Sequence, residues 1–305
     1  MRYVVTGAAG FIGSTLLRTL LDRGHDAVGW DSFTEYYDPD LKEGNALGLP
    51  VQRIDLVEDE LDLDGVEGIF HLAGQPGVRS FGQAFPAYVR ENVLATQRLF
   101  EAAAPAGVRT VFASSSSIYG DAAAYPTPEE TVPLPLSPYG ITKLACEHLA
   151  YAYRQELGLD PVVLRYFTIF GPRQRPDMAF SAMIASLLEG RPFELFGDGT
   201  QSRSFTYVDD AVEATILAME RGSTGAIYNI GGGVEVSMLK AIETLAAVSG
   251  RRLEVARTPR QRGDAARTCA DTTRLRADTG WSPKTSFEQG LDAQWRWAAD
   301  RVASR

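Results

Sequence analysis

The chain has 305 residues, 45% hydrophobic and 23% charged, an ordinary globular composition with room for one large α/β domain or two intimate ones. Its net charge of −9 speaks against a general nucleic-acid role, and no apolar run reaches membrane-spanning length. Two cysteines, Cys146 and Cys269, form neither a disulfide framework nor a zinc pattern, so no metal and a reducing cytoplasm are expected.

In chain order, the β-branched run Tyr3-Val4-Val5 is a buried-strand signal. It leads into Gly7, Gly10 and Gly13, and then into the helical pattern Leu16, Leu17, Leu20, Leu21. In a strand–turn–helix unit, Gly7 allows a tight turn, Gly10 lets backbone approach a pyrophosphate, and Gly13 lets helix pack on strand. The helix N-terminus then meets the phosphate with free N–H groups and a positive dipole end. A second strand, residues 27–31, ends in Asp31, about twenty residues past the glycines. A carboxylate there bonds ribose hydroxyls and repels a 2′-phosphate, which predicts NAD rather than NADP. Residues 51–56 read as a third strand and 68–74 as a fourth with its exit, Leu72-Ala73-Gly74, passing close to the cofactor. His71 lies inside that apolar strand and is read as structural.

Residues 110–113 form the fifth strand and deliver the run Ser114-Ser115-Ser116-Ser117. After a proline-rich loop come Tyr139 and Lys143, four apart and so on one helix face. A phenol has a pKa of about 10 in water, and a nearby ammonium is expected to lower it toward the range a general base needs. The sixth strand runs over 161–168. Residues 171–199 read as loop and helix with Arg173 and Arg175 close together, and the tail from Ser237 carries helical patterns. No internal repeat, low-complexity segment or clear linker is evident, so two interwoven domains are expected.

The glycine turn, the serine run and the Tyr139/Lys143 pair together resemble the extended short-chain dehydrogenase/reductase family acting on nucleotide sugars. Five or six motifs in the right order extend the resemblance over nearly the whole chain. It implies an α/β fold: a Rossmann-type doubly wound parallel sheet with a smaller, interwoven C-terminal substrate domain. The expected NAD-binding domain is 1–170 plus about 204–232, and the expected substrate domain about 171–203 and 233–305. It implies bound NAD, a UDP-sugar substrate and a homodimer. Catalysis falls to Ser115, Tyr139 and Lys143. The cofactor falls to Gly7, Gly10, Phe11, Ile12, Gly13, Asp31, Lys42, Asp55, Leu56, Leu72, Ala73, Gly74, Asn92, Tyr139, Lys143 and Tyr166. Substrate contacts fall to Ser116, Ser117, Thr168, Arg203 and Asp264, with Arg175, Arg173 and Arg79 as candidates for diphosphate or carboxylate.

All members oxidise a sugar carbon and differ in the fate of the keto intermediate. Sugar 4,6-dehydratases carry Asp-Glu where this chain has Ser116-Ser117, and UDP-glucuronate decarboxylases carry glutamate at Ser117. UDP-glucose 4-epimerases read Arg-Tyr-Phe-Asn where this chain has Arg165-Tyr166-Phe167-Thr168. Thr168, with Tyr36-Tyr37-Asp38 and Leu41-Lys42, is most similar to UDP-glucuronate 4-epimerases. The expected reaction is therefore UDP-glucuronate to UDP-galacturonate. A neutral-sugar 4-epimerase, a decarboxylase and a non-catalytic NAD-binding regulator stand as alternatives.

Overall fold

Period-two alternation along short apolar runs produces a sheet buried on both faces. In the computed structural model, which describes residues 1–78, 81–232, 234–259 and 265–303, those runs become β1 (Arg2–Thr6), β2 (Asp26–Asp31), β3 (Val51–Arg53), β4 (Gly68–His71), β5 (Arg109–Ser115) and β6 (Pro161–Tyr166). Later strands are β7 (Thr168–Phe170), β8 (Phe193–Phe196), β9 (Ser202–Tyr207), β10 (Ile227–Ile230), β11 (Val234–Ser237), β12 (Val255–Thr258) and β13 (Arg267–Thr268). The helices are α1 (Phe11–Asp22), α2 (Pro39–Ala46), α3 (Phe85–Tyr88), α4 (Ala95–Ala106), α5 (Pro138–Leu157), α6 (Ala179–Glu189), α7 (Val208–Arg221), α8 (Met238–Ser249), α9 (Thr273–Thr279) and α10 (Phe287–Ala303).

The main sheet is parallel throughout, in the order β10-β6-β5-β4-β1-β2-β3. Neighbouring residues on one strand serve opposite cores. Val5, Phe70, Val111 and Val162 meet α1 and α7, while Val4, Ile69, Phe112 and Val163 meet α4 and α5. The winding reverses between β1 and β4, so the chain diverges there at the strands' carboxyl ends and leaves a crevice.

A smaller unit has its own core, built from α6, α8, α10, β8 and β9 around Phe180, Met183, Leu195, Phe205, Leu245 and Leu291. Strand β9 pairs with β7, β11 and β13, and β8 pairs with β12. The expected sixth strand, 161–168, is broken. Phe167 donates its N–H to Ile230 O at 2.9 Å, and the chain then turns so that Thr168 starts β7 on the second sheet. The third strand stops at Arg53, short of the expected 56, and a turn carries Asp55 and Leu56. None of the described helices is long and apolar enough to cross a membrane.

Candidate active site

The crevice at the carboxyl ends of β1, β4, β5 and β6 opens into a cavity of about 620 Å³. At one end lies the glycine turn. A Cβ on Gly13 would stand 2.1 Å from Gly7 O, so only glycine lets α1 sit this close to the strand. Gly7 itself has φ +70 and abuts Ala73 N, where a Cβ would stand at 2.8 Å. Gly10 caps α1 without a side chain, so the helix N-terminus faces the cavity through Phe11, Ile12 and Gly13. At the tip of β2, Asp31 accepts from Ala9 N at 2.9 Å and from Phe33 N at 2.8 Å, and it lines the same cavity. Lys42 is buried; its Nζ donates to Thr34 O at 2.6 Å and to Thr34 Oγ1 at 2.9 Å. A helix N-terminus, a side-chain-free turn and a carboxylate about twenty residues on fit a dinucleotide.

Leu56, Leu72, Ala73, Gly74 and Tyr166 also line the cavity. Two residues expected at the cofactor do not line it. Asp55 turns to Arg90 at 2.8 Å and accepts from Val57 N at 2.9 Å. Asn92 sits in a π-helical turn, Val89–Leu94, and clamps the exit of β4 to α5. Its Oδ1 accepts from Gln75 N at 2.7 Å, and its Nδ2 donates to Gln75 O at 3.1 Å and Thr142 Oγ1 at 3.0 Å. The clamp supports the cavity wall without forming it. A Cβ on Gly74 would stand 2.7 Å from Asn92 Oδ1 and 3.4 Å from Lys143 Nζ, so this wall admits no side chain.

Ser137 caps α5 by accepting from Gly140 N at 3.1 Å, and Pro138 opens the helix; this fixes the register of Tyr139 and Lys143. Tyr139, Lys143 and Ser115 all face the cavity. Ser115 Oγ donates to Ser117 Oγ at 2.9 Å. The electrostatics differ from the expectation. Burial pushes the Tyr139 phenol above its ordinary value, while a hydrogen bond with Ser115 and the charge of Arg175 pull it back. The Lys143 Nζ donates to Ala113 O at 2.8 Å and lies 4.9 Å over the Phe112 ring. Burial instead pulls Lys143 itself down to about 8, opposed by Cys146 and Glu147. His71 is fully buried between Thr6 Oγ1 at 2.8 Å and Thr96 Oγ1 at 2.9 Å. Burial first, then the Lys143 charge, pulls it down to about 3, in keeping with a structural role.

At the other end, Ser116, Ser117, Thr168, Arg175 and Arg203 line the cavity. Arg203 reaches the backbone oxygens of Ala265 at 2.6 Å and Ser202 at 2.8 Å. Arg175 pairs with Asp177 through Nε at 3.0 Å and Nη2 at 3.1 Å. Tyr36 Oη donates to Asp177 at 3.2 Å, closing a clasp between the loop after β2 and the segment before α6. Arg173 does not line the cavity and faces a different recess. Arg79 and Asp264 lie outside the described residues. Sequence reasoning missed Asp177 and the buried network behind the serine run. In that network Arg165 Nη2 meets Glu147 Oε2 at 2.7 Å, with both side chains 5% exposed, and Ser114 donates to the same carboxylate. The only local signal was Glu147 lying one helical turn beyond Lys143.

The NAD dependent epimerase/dehydratase family matches residues 3–231. A UDP-glucuronate 4-epimerase of Thermodesulfobacterium geofontis is 34% identical over 98% of this chain and 97% of its own length. An uncharacterised UDP-glucose epimerase of Bacillus subtilis is 41% identical over 95% of this chain and 96% of its own. The crystal structure of the UDP-glucuronic acid 4-epimerase of Bacillus cereus, in complex with UDP-glucuronic acid and NAD, is 39% identical. It superposes with a TM-score of 0.95 over 99% of this chain and 100% of that one. A family match over most of the chain, and relatives aligned almost end to end with it, establish that this chain belongs to the NAD dependent epimerase/dehydratase family.

Proposed function

We propose that the protein is an NAD-dependent UDP-sugar 4-epimerase whose substrate is UDP-glucuronate and whose product is UDP-galacturonate. The observation that carries the substrate choice is the sugar end of the cavity. Ser116, Ser117, Thr168 and Arg175 line it beside Tyr139, and neither position 116 nor 117 offers an acid. The named relatives and the Bacillus cereus complex support the same reading.

Tyr139 takes the proton of the C4 hydroxyl, and Ser115 bonds the same oxygen. Lys143, held on Ala113 O beside Gly74, takes the cofactor's ribose. The glycine turn and Asp31 hold pyrophosphate and adenosine ribose. NAD, when bound, supplies a reversible two-electron acceptor, so C4 passes through a ketone and returns inverted with no net redox change. Arg203 anchors the diphosphate while the sugar turns. A ketone at C4 of glucuronate makes a β-keto acid, which loses carbon dioxide when the carboxylate bond stands perpendicular to the carbonyl plane. Hydroxyls of Ser116, Ser117 and Thr168, with Arg175, hold the carboxylate away from that geometry by charge-assisted hydrogen bonds.

We also take the chain to be a cytoplasmic homodimer. Exposed apolar residues Val89 and Leu94 before α4, and Ile141, Tyr151 and Leu157 on α5, support pairing through those helices. The functional test incubates NAD-loaded protein separately with UDP-glucuronate and UDP-glucose and resolves products by NMR. UDP-galacturonate with little UDP-pentose is expected. Untouched UDP-glucuronate beside epimerised UDP-glucose would overturn the substrate assignment in favour of the neutral sugar, the substrate named for the Bacillus subtilis relative.

A further inference from the structure

One corner of the molecule, outside the substrate cavity, gathers three guanidinium groups without acids bonded to them. Arg18 lies on α1, Arg173 follows β7, and Arg301 lies near the end of α10. None of the three side chains makes a hydrogen bond or ion pair among the described residues, and Arg18 Nε is buried without a partner. Arginines of similar burial elsewhere are paired: Arg109 with Asp160 at 2.7 Å, Arg175 with Asp177 at 3.0 Å. Burial and the like charges of Arg18 and Arg301 pull the pKa of Arg173 down. Asp209 is the acid facing it; burial and Asp210 push that carboxyl up while the Arg173 charge pulls it back. Arg173 also holds φ +68, a conformation uncommon outside glycine.

Arg173 and Arg301 line a recess of about 20 Å³ with Trp297 and Tyr37, and Arg301 stacks 5.0 Å over Trp297. Buried donors without partners are costly, and like charges brought together add to that cost. A ligand with several acceptor oxygens and negative charge relieves both. Planar guanidinium forks match phosphate geometry. The recess has room for an oxyanion's tip and not for a nucleotide.

We propose that Arg18, Arg173 and Arg301 form a second anion site, separate from the substrate cavity, that binds a phosphoryl group. The group is inorganic phosphate or the terminal phosphoryl of a molecule whose remainder stays in solvent. Tyr37 and Arg175 line both the recess and the substrate cavity, so a single wall parts the two.

The test titrates inorganic phosphate into protein saturated with NAD and UDP, so that the substrate cavity is filled, with chloride holding ionic strength constant. Calorimetry should show one saturable site. Arg301→Gln and Arg18→Gln should each weaken it at least about tenfold, the loss expected for one charge-assisted contact, with the phosphate-free melting temperature unchanged or raised. A parallel arm with uridine monophosphate separates the sources: tighter binding than phosphate indicates a phosphorylated molecule, weaker binding the free ion. Crystals of the same complex soaked in selenate should show an anomalous peak among the three guanidiniums. No saturable heat, affinity unchanged in both variants, or selenate found only elsewhere would overturn the proposal.

Discussion

Replacing Arg165 with methionine should destabilise the fold by about 3–5 kcal/mol, because it strands a buried carboxylate. Arg165 and Glu147 are each 5% exposed. The guanidinium makes three contacts to Glu147, at 2.7, 3.1 and 3.3 Å, and donates to Tyr119 Oη and Glu129 O at 2.8 Å each. Without it, Glu147 keeps the Ser114 hydroxyl, which cannot balance the charge. The loss is a large share of the roughly 5–15 kcal/mol that holds a typical domain together. Adding Glu147→Leu removes the stranded charge and should recover at least half of the deficit, although Ser114 then loses its acceptor at about 1 kcal/mol. The assay is urea unfolding at pH 7 with cofactor content equalised, since bound ligand shifts the midpoint. A single-variant loss below about 1 kcal/mol would place the pair in the range of exposed ion pairs and refute the reasoning. So would a double variant as unstable as the sum of the singles.

Tyr139→Phe keeps the ring and should cost about 10²–10⁴ in kcat while NAD stays bound, as read by turnover and cofactor absorbance after purification. Thr168→Ala should slow epimerisation of UDP-glucuronate and raise the fraction of UDP-pentose, resolved by chromatography. Lys143 carries a pH signature. Its pKa is about 8 in the folded chain and the ordinary value is 10.5, so between these values the unfolded chain binds a proton that the folded chain does not. Folding stability from this group therefore rises with pH across that window, and Lys143→Met should flatten the rise in urea midpoints.

Local spacing carried much of the fold. The glycine turn is legible because Gly7, Gly10 and Gly13 answer to steric demands within a few residues of themselves. The strands are legible because runs such as Val162 to Leu164 must be apolar on both faces. Tyr139 and Lys143 share a helix face by spacing alone, and both reach the cavity. What the sequence hid depends on partners far along the chain. Tyr36 meets Asp177 across 141 positions, and Asp55 turns to Arg90 across 35. The bend at Phe167 follows from its bond to Ile230, on a strand that had not been expected at all. The direction of the Lys143 ammonium is set by the Ala113 carbonyl on a neighbouring strand, and no residue near Lys143 in sequence announces it.

The central claim is that C4 is oxidised and reduced within one site, with Tyr139 handling the proton. UDP-glucuronate carrying deuterium at C4 tests it directly, with no cofactor added and NMR reading the product. The account predicts UDP-galacturonate that keeps the deuterium at C4, formed by protein that ends with its NAD in the starting state. Product with the C4 deuterium exchanged for solvent hydrogen, or turnover that requires added NAD, would contradict it.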